Sequence, residues 1–344
     1  MRYHDIILGS VTLNHPVVLE IIHTPCFRRL QKIDMSGFSV IAERIRQDQA
    51  IVHSRYAHSM GVFLLLSKYG ASVPEALSGL IHDVSHTAFS HCIDYVLQEG
   101  SSTDQSYQDH IFLKYVLDSE IPHILKKHGF NIDFILDDEN FPLKEKSLPD
   151  LCADRIDYSL RTALIFGEID PIEKNYIMDN LQTIDGAWVF KDIDSAKFYA
   201  KLFLTLNQKH YAGFDSAFMF KALSVLLKYA LEKKYIVEKD FWTDDLSVMN
   251  KIKLFFVDDP LLKVLFQNLK INPHSLDGNK GEIVFCKSRI VDPLFLHQGK
   301  ISKLSLYDPT WAEVIAKEML PKQYFVPQVF GDSVISGSKR QQGK

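Results

Sequence analysis

Four residues set far apart in the chain carry the side chains that a divalent transition metal takes: His58 in RYAHS, the doublet His82-Asp83 in LIHDVSHTAFSHCID, and Asp154 in ADRIDY. Two imidazoles and two carboxylates, each on a segment with helical character, form the mixed nitrogen and oxygen set of a hydrolytic centre that acidifies a water. A His-Asp doublet alone carries little weight, since His4-Asp5 is another, in a segment that reads as a hairpin edge. Context separates the two. His82-Asp83 follows the apolar run ALSGLI, where an unpaired ionised carboxylate carries a large desolvation cost. A cation should sit beside Asp83, and two sources fit: a metal that also satisfies His82, or a neighbouring Arg or Lys with separate acceptors for the imidazole.

The same stretch holds residues suited to proton transfer. His86 lies four residues beyond His82, on the same face of a continuous helix, and can serve a second metal or present a proton to substrate. His91 points about half a turn away in such a helix, so it reaches the site only if the chain bends, and a Ser90 helix cap supplies that break. Asp94, three residues on, can orient the His91 ring. From the residues alone, an ordinary surface pair on a helix is the favoured account of His91 and Asp94.

These residues sit in an ordinary globular chain: 344 residues, 46% hydrophobic and 24% charged, suffice for one large core or two small ones. A net charge of -4 and a pI near 6.4 argue against nucleic acid as the main partner, because holding it by phosphate neutralisation needs a cationic excess. Cys26, Cys92, Cys152 and Cys286 are far apart and form no C-x-x-C pair, which fits reduced thiols rather than disulfides or a thiolate zinc site. No run of 18 apolar residues occurs, and the first residues lack the unbroken apolar core of a signal peptide. A cytoplasmic protein that does not enter membranes is expected.

The apolar pattern predicts the scaffold. Residues 4–13 read as a hairpin with Gly9-Ser10 as its turn, followed by a segment that becomes helical after Pro25. A buried helix runs from Tyr56 to Lys68, with His58, Val62 and Leu65 on one face and Gly61 beside them. Pro74 starts the helix of His82, and the helical pattern resumes in CIDYVLQ. The charged stretch 130–149 reads as a solvated loop, and Asp150 as the cap of the next helix. On that helix Asp154, Tyr158 and Arg161 form a polar stripe with Asp157 at its edge, opposite Ile156, Leu160, Ala163 and Leu164. The Asp185-Gly186 pair predicts a hairpin, residues 195–235 are helical, and 282–291 form a second small sheet with QYFVPQVF.

At four ordered places the chain resembles the HD-domain metal-dependent phosphohydrolases, in particular the branch of bacterial dGTP triphosphohydrolases and the vertebrate SAM-and-HD-domain dNTPase. HDIILGSVTLNHPVVLEIIHTPCFRRLQKI is similar to that branch's opening, SRYAHSMGV to its Arg-x-x-His-Ser segment, GLIHDVSHTAFSHCID to its core signature and ADRIDY to its later Asp segment, all within the first 165 residues or so. The resemblance implies a mainly α fold: a helical HD core with an N-terminal hairpin over 1–180, a mainly helical extension packed on it over 181–330, and a mobile tail over 331–344. It implies that His58, His82, Asp83 and Asp154 bind one divalent metal (Fe, Mn, Zn, Co or Ni), with Mg accompanying a nucleotide substrate. Arg55, Arg155 and Tyr158 match substrate contacts, His86 a histidine near the scissile phosphate, His91 the general acid and Asp94 its partner. The implied reaction is attack of the acidified water on the α-phosphorus of a nucleoside triphosphate, with His91 protonating the departing 5′ oxygen. Relatives commonly form homo-oligomers.

Three departures bear on specificity. Tyr107-Gln108 stands where the branch has His-Glu, with His110 as the nearest substitute. Met35-Ser36 stands where deoxynucleotide-specific members have Gln-Leu, and Thr87-Ala88 replaces a Gly-Pro turn. These leave room for an HD phosphatase or phosphodiesterase acting on another small phosphorylated substrate, or for a nucleotide-binding protein without turnover. Tyr211 corresponds to a nucleotide-contacting tyrosine only within thin similarity, and an aromatic packed between helices explains it as well.

Overall fold

A computed structural model describes residues 1–38, 53–276 and 280–328; the tail expected over 331–344 lies outside the described residues. The expected hairpin opens the chain, β1 (Arg2–Asp5) pairing antiparallel with β2 (Gly9–Thr12), but its turn is made by residues 6–8, and Gly9 and Ser10 lie in β2 opposite Asp5 and His4. Its turn closes because Asp5 Oδ1 accepts the N–H groups of Ile7 and Leu8, at 2.9 and 3.0 Å. Helix begins at Pro16 rather than after Pro25, since proline is preset for a first turn: α1 (Pro16–His23) and α2 (Pro25–Arg28) are separated only by Thr24.

The central helix is α3 (Arg55–Lys68), capped by Ser54 Oγ, which accepts from Ala57 N–H at 3.1 Å. Every residue from His58 to Leu66 on it is buried, so its polar groups need partners from other elements. One such partner leaves no room at Gly61, where a Cβ would stand 1.9 Å from Asp157 Oδ2. Against α3 packs α4 (Val73–Ile81).

The continuous helix predicted past His82 does not occur. It ends at Ile81, and Phe89 and Ser90 take φ of +66° and +45° before a 3-10 turn over Ser90–Tyr95. His86 is therefore off the helix that precedes His82. The bend that His91 requires exists, but two left-handed residues make it instead of a Ser90 cap.

Next come α5 (Tyr107–Leu117), α6 (Ile121–Lys127) and α7 (Ile132–Leu136). The stretch expected to be a solvated loop is tied to the core: Phe141 and Leu143 are buried, and Glu75 of α4 accepts the N–H groups of Leu143 and Lys144 at 2.6 and 3.2 Å. A few apolar anchors among many charges escape a reading based on average polarity. Asp150 does not cap α8 (Ala153–Ile165); Cys152 occupies that position, and Asp150 pairs with Lys303. The polar stripe on α8 is present and divided: Asp157 and Arg161, only 1% and 2% exposed, face protein, while Asp154 and Tyr158 line a cavity.

After α9 (Pro171–Asn180), the predicted hairpin forms from β3 (Leu181–Ile184) and β4 (Ala187–Phe190), its Asp185 and Gly186 both at positive φ. Then α10 (Ile193–Leu206) passes through a π-turn at Asn207–Tyr211 into α11 (Phe214–Glu232), followed by α12 (Asp245–Lys253) and α13 (Pro260–Asn268). The second small sheet starts with β5 (Gly281–Cys286). Two strands the pattern did not reveal, β6 (Leu294–His297) and β7 (Lys300–Lys303), extend the β3–β4 hairpin in the order β3-β4-β6-β7. Last come α14 (Leu304–Tyr307), α15 (Pro309–Glu318) and β8 (Lys322–Pro327), which pairs antiparallel with β5.

The fold is mainly α, as expected. One apolar core gathers α1, α3, α4, α8 and α10 around Phe27, Ile156 and Trp188. A second is built on α11 with α12, α13, β5 and β8, and it includes Phe89, Cys92 and Ile93 from the segment after α4.

Candidate metal centre and substrate cavity

The donors come from three helical elements. His58 stands in the first turns of α3, His82 and Asp83 just past the end of α4, and Asp154 in the first turn of α8. One donor atom from each of His58, His82 and Asp154 lies within 4.8 Å of the others. Asp83 adjoins them, its carboxylate 3.4 Å from His82 Nε2 and 3.7 Å from His58 Nε2. Residues about a hundred positions apart in sequence thus meet at one point.

The ring protons follow from the outer partners. The Gly79 carbonyl can only accept, so His82 Nδ1, 2.8 Å away, carries the proton and leaves Nε2 a bare lone pair in the neutral ring. Asp157 Oδ1, 2.8 Å from His58 Nδ1, does the same for His58. The two bare nitrogens face each other at 3.2 Å, with Asp154 Oδ1 at 2.9 Å from His58 and 3.4 Å from His82. A shared positive charge reconciles this arrangement, whether a metal ion or a proton on His58.

Electrostatics point the same way. Burial opposes charge on His58, but Asp154, Asp157 and Asp83 outweigh it and lift its pKa to about 9. Against the same burial penalty, Asp83 and Asp154 raise His82. Burial also works against ionisation of Asp83 and Asp154, yet Arg55 with the imidazoles, and the imidazoles alone, hold these carboxyls well below their usual range. A divalent transition metal fits this donor set.

Of the two cationic sources that the sequence left open for Asp83, an arginine stands beside it. Arg55 Nη1 donates to Asp83 Oδ2 at 2.8 Å, while its Nε donates to Ser90 Oγ at 3.1 Å and its Nη2 to the Met35 carbonyl at 3.1 Å. The guanidinium is thus bonded to protein groups on all sides. A second acidic group beside Asp154, made of Glu145 and Cys152, already has its cation: Arg155 lies 3.2 Å from Glu145 and donates to Cys152 Sγ at 2.9 Å.

His86 Nε2 is 3.4 Å from Asp83 Oδ1, and its ring meets that of His91 edge to face, with centroids 5.0 Å apart. His91 Nδ1 stands 3.6 Å from Asp94 Oδ2, too far for a hydrogen bond; Asp94 Oδ1 instead accepts the Tyr107 N–H at 3.0 Å. Burial, with Arg55 acting in the same direction, pushes His86 down to about 4 and His91 to about 3, so both rings are neutral near pH 7 with only protein around them.

Arg55, His82, Asp83, His86, His91 and Asp154 line a cavity of about 1190 Å³, and His58 is buried behind them. Its wall includes Lys144, Lys146, Arg155, Lys209, Lys287 and Arg289. Tyr158 and Tyr211 form an edge-to-face pair there, centroids 5.4 Å apart, and the Tyr158 hydroxyl is buried without a partner. His110 of α5 is exposed, whereas Gln108, Asp109 and Phe112 line the cavity.

Several supporting residues escaped the sequence reading. Arg161 Nε and Nη2 donate to Asp157 at 3.0 and 2.8 Å, and Nη2 also donates to Asp5 Oδ2 at 2.7 Å. Asp5, half of the doublet that served as an uninformative control, thus ends a buried relay running through Arg161 and Asp157 to His58. The i, i+4 spacing of Asp157 and Arg161 was a usable signal. Nothing near Asp5 marked it.

No known family profile matches the chain. It is 33% identical over 254 residues to YdhJ of Bacillus subtilis, a match covering 74% of this chain and 75% of that protein. It is 28% identical over 320 residues to the metal-dependent phosphohydrolase cns2 of Cordyceps militaris, covering 89% of each. A phosphohydrolase structure from Bacteroides thetaiotaomicron superposes with a TM-score of 0.68 at 16% identity, covering 96% of this chain and all of that one. A hypothetical protein of Aquifex aeolicus superposes at 0.65 with the same identity. With so much of its length shared with YdhJ, the chain belongs to the YdhJ family, and both cns2 and the phosphohydrolase fold align along nearly all of it.

Proposed function

We propose that the protein hydrolyses a nucleotide, specifically a nucleoside triphosphate, as the dGTP triphosphohydrolase branch does. The observation that supports this reading is the meeting, in one cavity, of a metal-ready donor set with Lys287 and Arg289, on a wall that also carries Asp109, Asp138, Glu139, Glu145 and Asp215. Lys287 and Arg289 form no ion pair among the described residues, and burial together with Arg289 pushes Lys287 down to about 8. A polyanion relieves that crowding of positive charge. Tyr158 and Tyr211 offer ring faces and, at Tyr158, a free hydroxyl to a nucleoside.

A divalent ion held by His58, His82, Asp83 and Asp154 supplies electrophilic pull on a phosphoryl oxygen and makes water acidic enough to attack near neutral pH. Arg155, Lys287 and Arg289 hold the phosphate chain. Arg55 keeps Asp83 in place and reaches a phosphate oxygen by exchanging its bond to the Met35 carbonyl. His91 delivers a proton to the departing 5′ oxygen, and an arriving phosphate offsets the burial that depresses its pKa. One water is consumed, and nucleoside and inorganic triphosphate leave.

A second reading, phosphatase or phosphodiesterase action on another small phosphate ester, is favoured by Tyr107-Gln108 and the exposed His110, which leave α5 without an imidazole in the cavity. Assay of the Mn-loaded protein against a nucleotide panel separates the two. Release of inorganic triphosphate supports the first; orthophosphate or an opened cyclic nucleotide, with no triphosphate, overturns it.

A further inference from the structure

We infer that Asp245, far from the cavity in sequence and absent from its wall, is a positioning residue for His91. Its carboxylate is fully buried at the start of α12, and both oxygens are used: Oδ1 accepts the Phe89 N–H at 2.7 Å and Oδ2 the Asp34 N–H at 3.0 Å. One side chain thus fastens the turn before His91 to the loop after α2.

That turn needs fastening. Phe89 and Ser90 are consecutive residues with side chains in the left-handed region, a conformation that persists only where surroundings over-determine it. The surroundings come mostly from the second core. Ala88 N–H donates to the Phe241 carbonyl at 2.8 Å, on the residues leading into α12. Ser90 Oγ donates to the Asp34 carbonyl at 2.6 Å, so Asp245 acts on the turn directly and again through Asp34. Gly37, at φ +82°, brings the same loop so close that a Cβ there would lie 2.1 Å from the Phe89 carbonyl oxygen. Ser90 Oγ also accepts from Arg55 Nε, and Arg55 holds Asp83. His91 follows Ser90 directly, and its perpendicular packing on His86 depends on where the turn puts it.

Burial, with Asp34 and Asp244 adding to it, pushes Asp245 up against the pull of the two N–H groups, and its carboxyl suits this role because both oxygens face those donors. An amide keeps one and turns an N–H group towards the other backbone N–H, and alanine leaves both unpaired and buried. With the ties broken, the two left-handed residues relax and His91 swings from His86, while His58 and His82 keep their own partners, Asp157 and the Gly79 carbonyl.

The functional weight of this inference rests on the reading of His91 as proton donor, but the geometry can be tested without turnover. Imidazole 15N and 1H spectra of the zinc-loaded protein would be recorded for the wild type, Asp245→Asn, Asp245→Ala and the control Asp244→Asn, which alters the α12 cap next door. The His86 and His91 signals are expected to shift or broaden in both Asp245 variants, more in alanine, with the His58 and His82 Nδ1–H signals unmoved and the control unchanged throughout. On whichever nucleotide the panel identifies, kcat falls on the order of 100-fold with KM and metal content preserved. Unshifted His91 signals in Asp245→Ala overturn the inference, as does a disturbance spread equally over all four rings. If the alanine variant fails to fold, the same two outcomes are read from Asp245→Asn. A protein inactive on the whole panel removes the triphosphohydrolase reading and leaves the spectra to judge Asp245.

Discussion

The two sides of the cavity are built differently. The metal side stands on or beside α3, α4 and α8, within the first core, and its imidazoles are oriented by groups on those same helices, Asp157 and the Gly79 carbonyl. The histidine side stands on a left-handed turn that leads into the 3-10 turn of Ser90–Tyr95, held by Phe241 and Asp245 of the second core region. The contrast teaches that two imidazole pairs a few ångströms apart can have independent supports. Metal binding and proton transfer should then be separable by mutation.

The largest effect is expected at the point where three elements meet. Asp154→Ala should lose the metal on dialysis, and with it all turnover; full metal occupancy by elemental analysis would contradict the assignment. His91→Gln should divide the two sides most sharply, retaining metal and melting temperature while kcat falls by about 10²- to 10⁴-fold. Undiminished kcat would remove His91 from the chemistry. Asp157→Asn, which weakens the hold on the His58 ring, should loosen metal about 10- to 100-fold in a chelator competition with KM unaffected.

Asp5→Ala tests how far that support extends. It removes one carboxylate from the fully buried Arg161, so chemical denaturation should show a loss of up to about 3 kcal/mol, and metal affinity should fall by less than in Asp157→Asn. Unchanged metal affinity would end the relay at Asp157. The smallest expected effect concerns acid stability. His53 is pushed down to about 3 by burial and Arg161, against about 6.5 when unfolded. The unfolded chain therefore binds more protons below pH 6.5, and stability falls as pH drops from there towards 3. In the metal-loaded protein, His53→Gln should flatten this part of the curve; an equal slope would show that other groups set it.

Helices α3, α4 and α8 and the β3–β4 hairpin were legible because apolar spacing, proline and Asp-Gly signals act over a few residues. The candidates His82 and Asp83 were legible for a related reason, since charged and imidazole groups after an apolar run demand compensation wherever the chain goes, while His58 and Asp154 were marked by residue type and by the family resemblance. The path after Ile81 was not. A helical continuation agrees with the local pattern, and the left-handed residues at 89 and 90 are stabilised by groups more than 150 positions later. The buried anchors at Phe141 and Leu143 were hidden in the same way, their value residing in contacts with Glu75 and Trp188.

The sequence by itself determined a mainly helical chain, four candidate ligands and the need for positive charge beside Asp83, because residue type and burial tendency are local properties. Only the tertiary structure decided which imidazole nitrogens face each other, that Asp5 and Arg161 support His58, that Arg55 is engaged by Asp83, and that His91 turns towards His86. Each of these depends on hydrogen-bond geometry between distant segments. Such geometry exists only once apolar burial has brought those segments together.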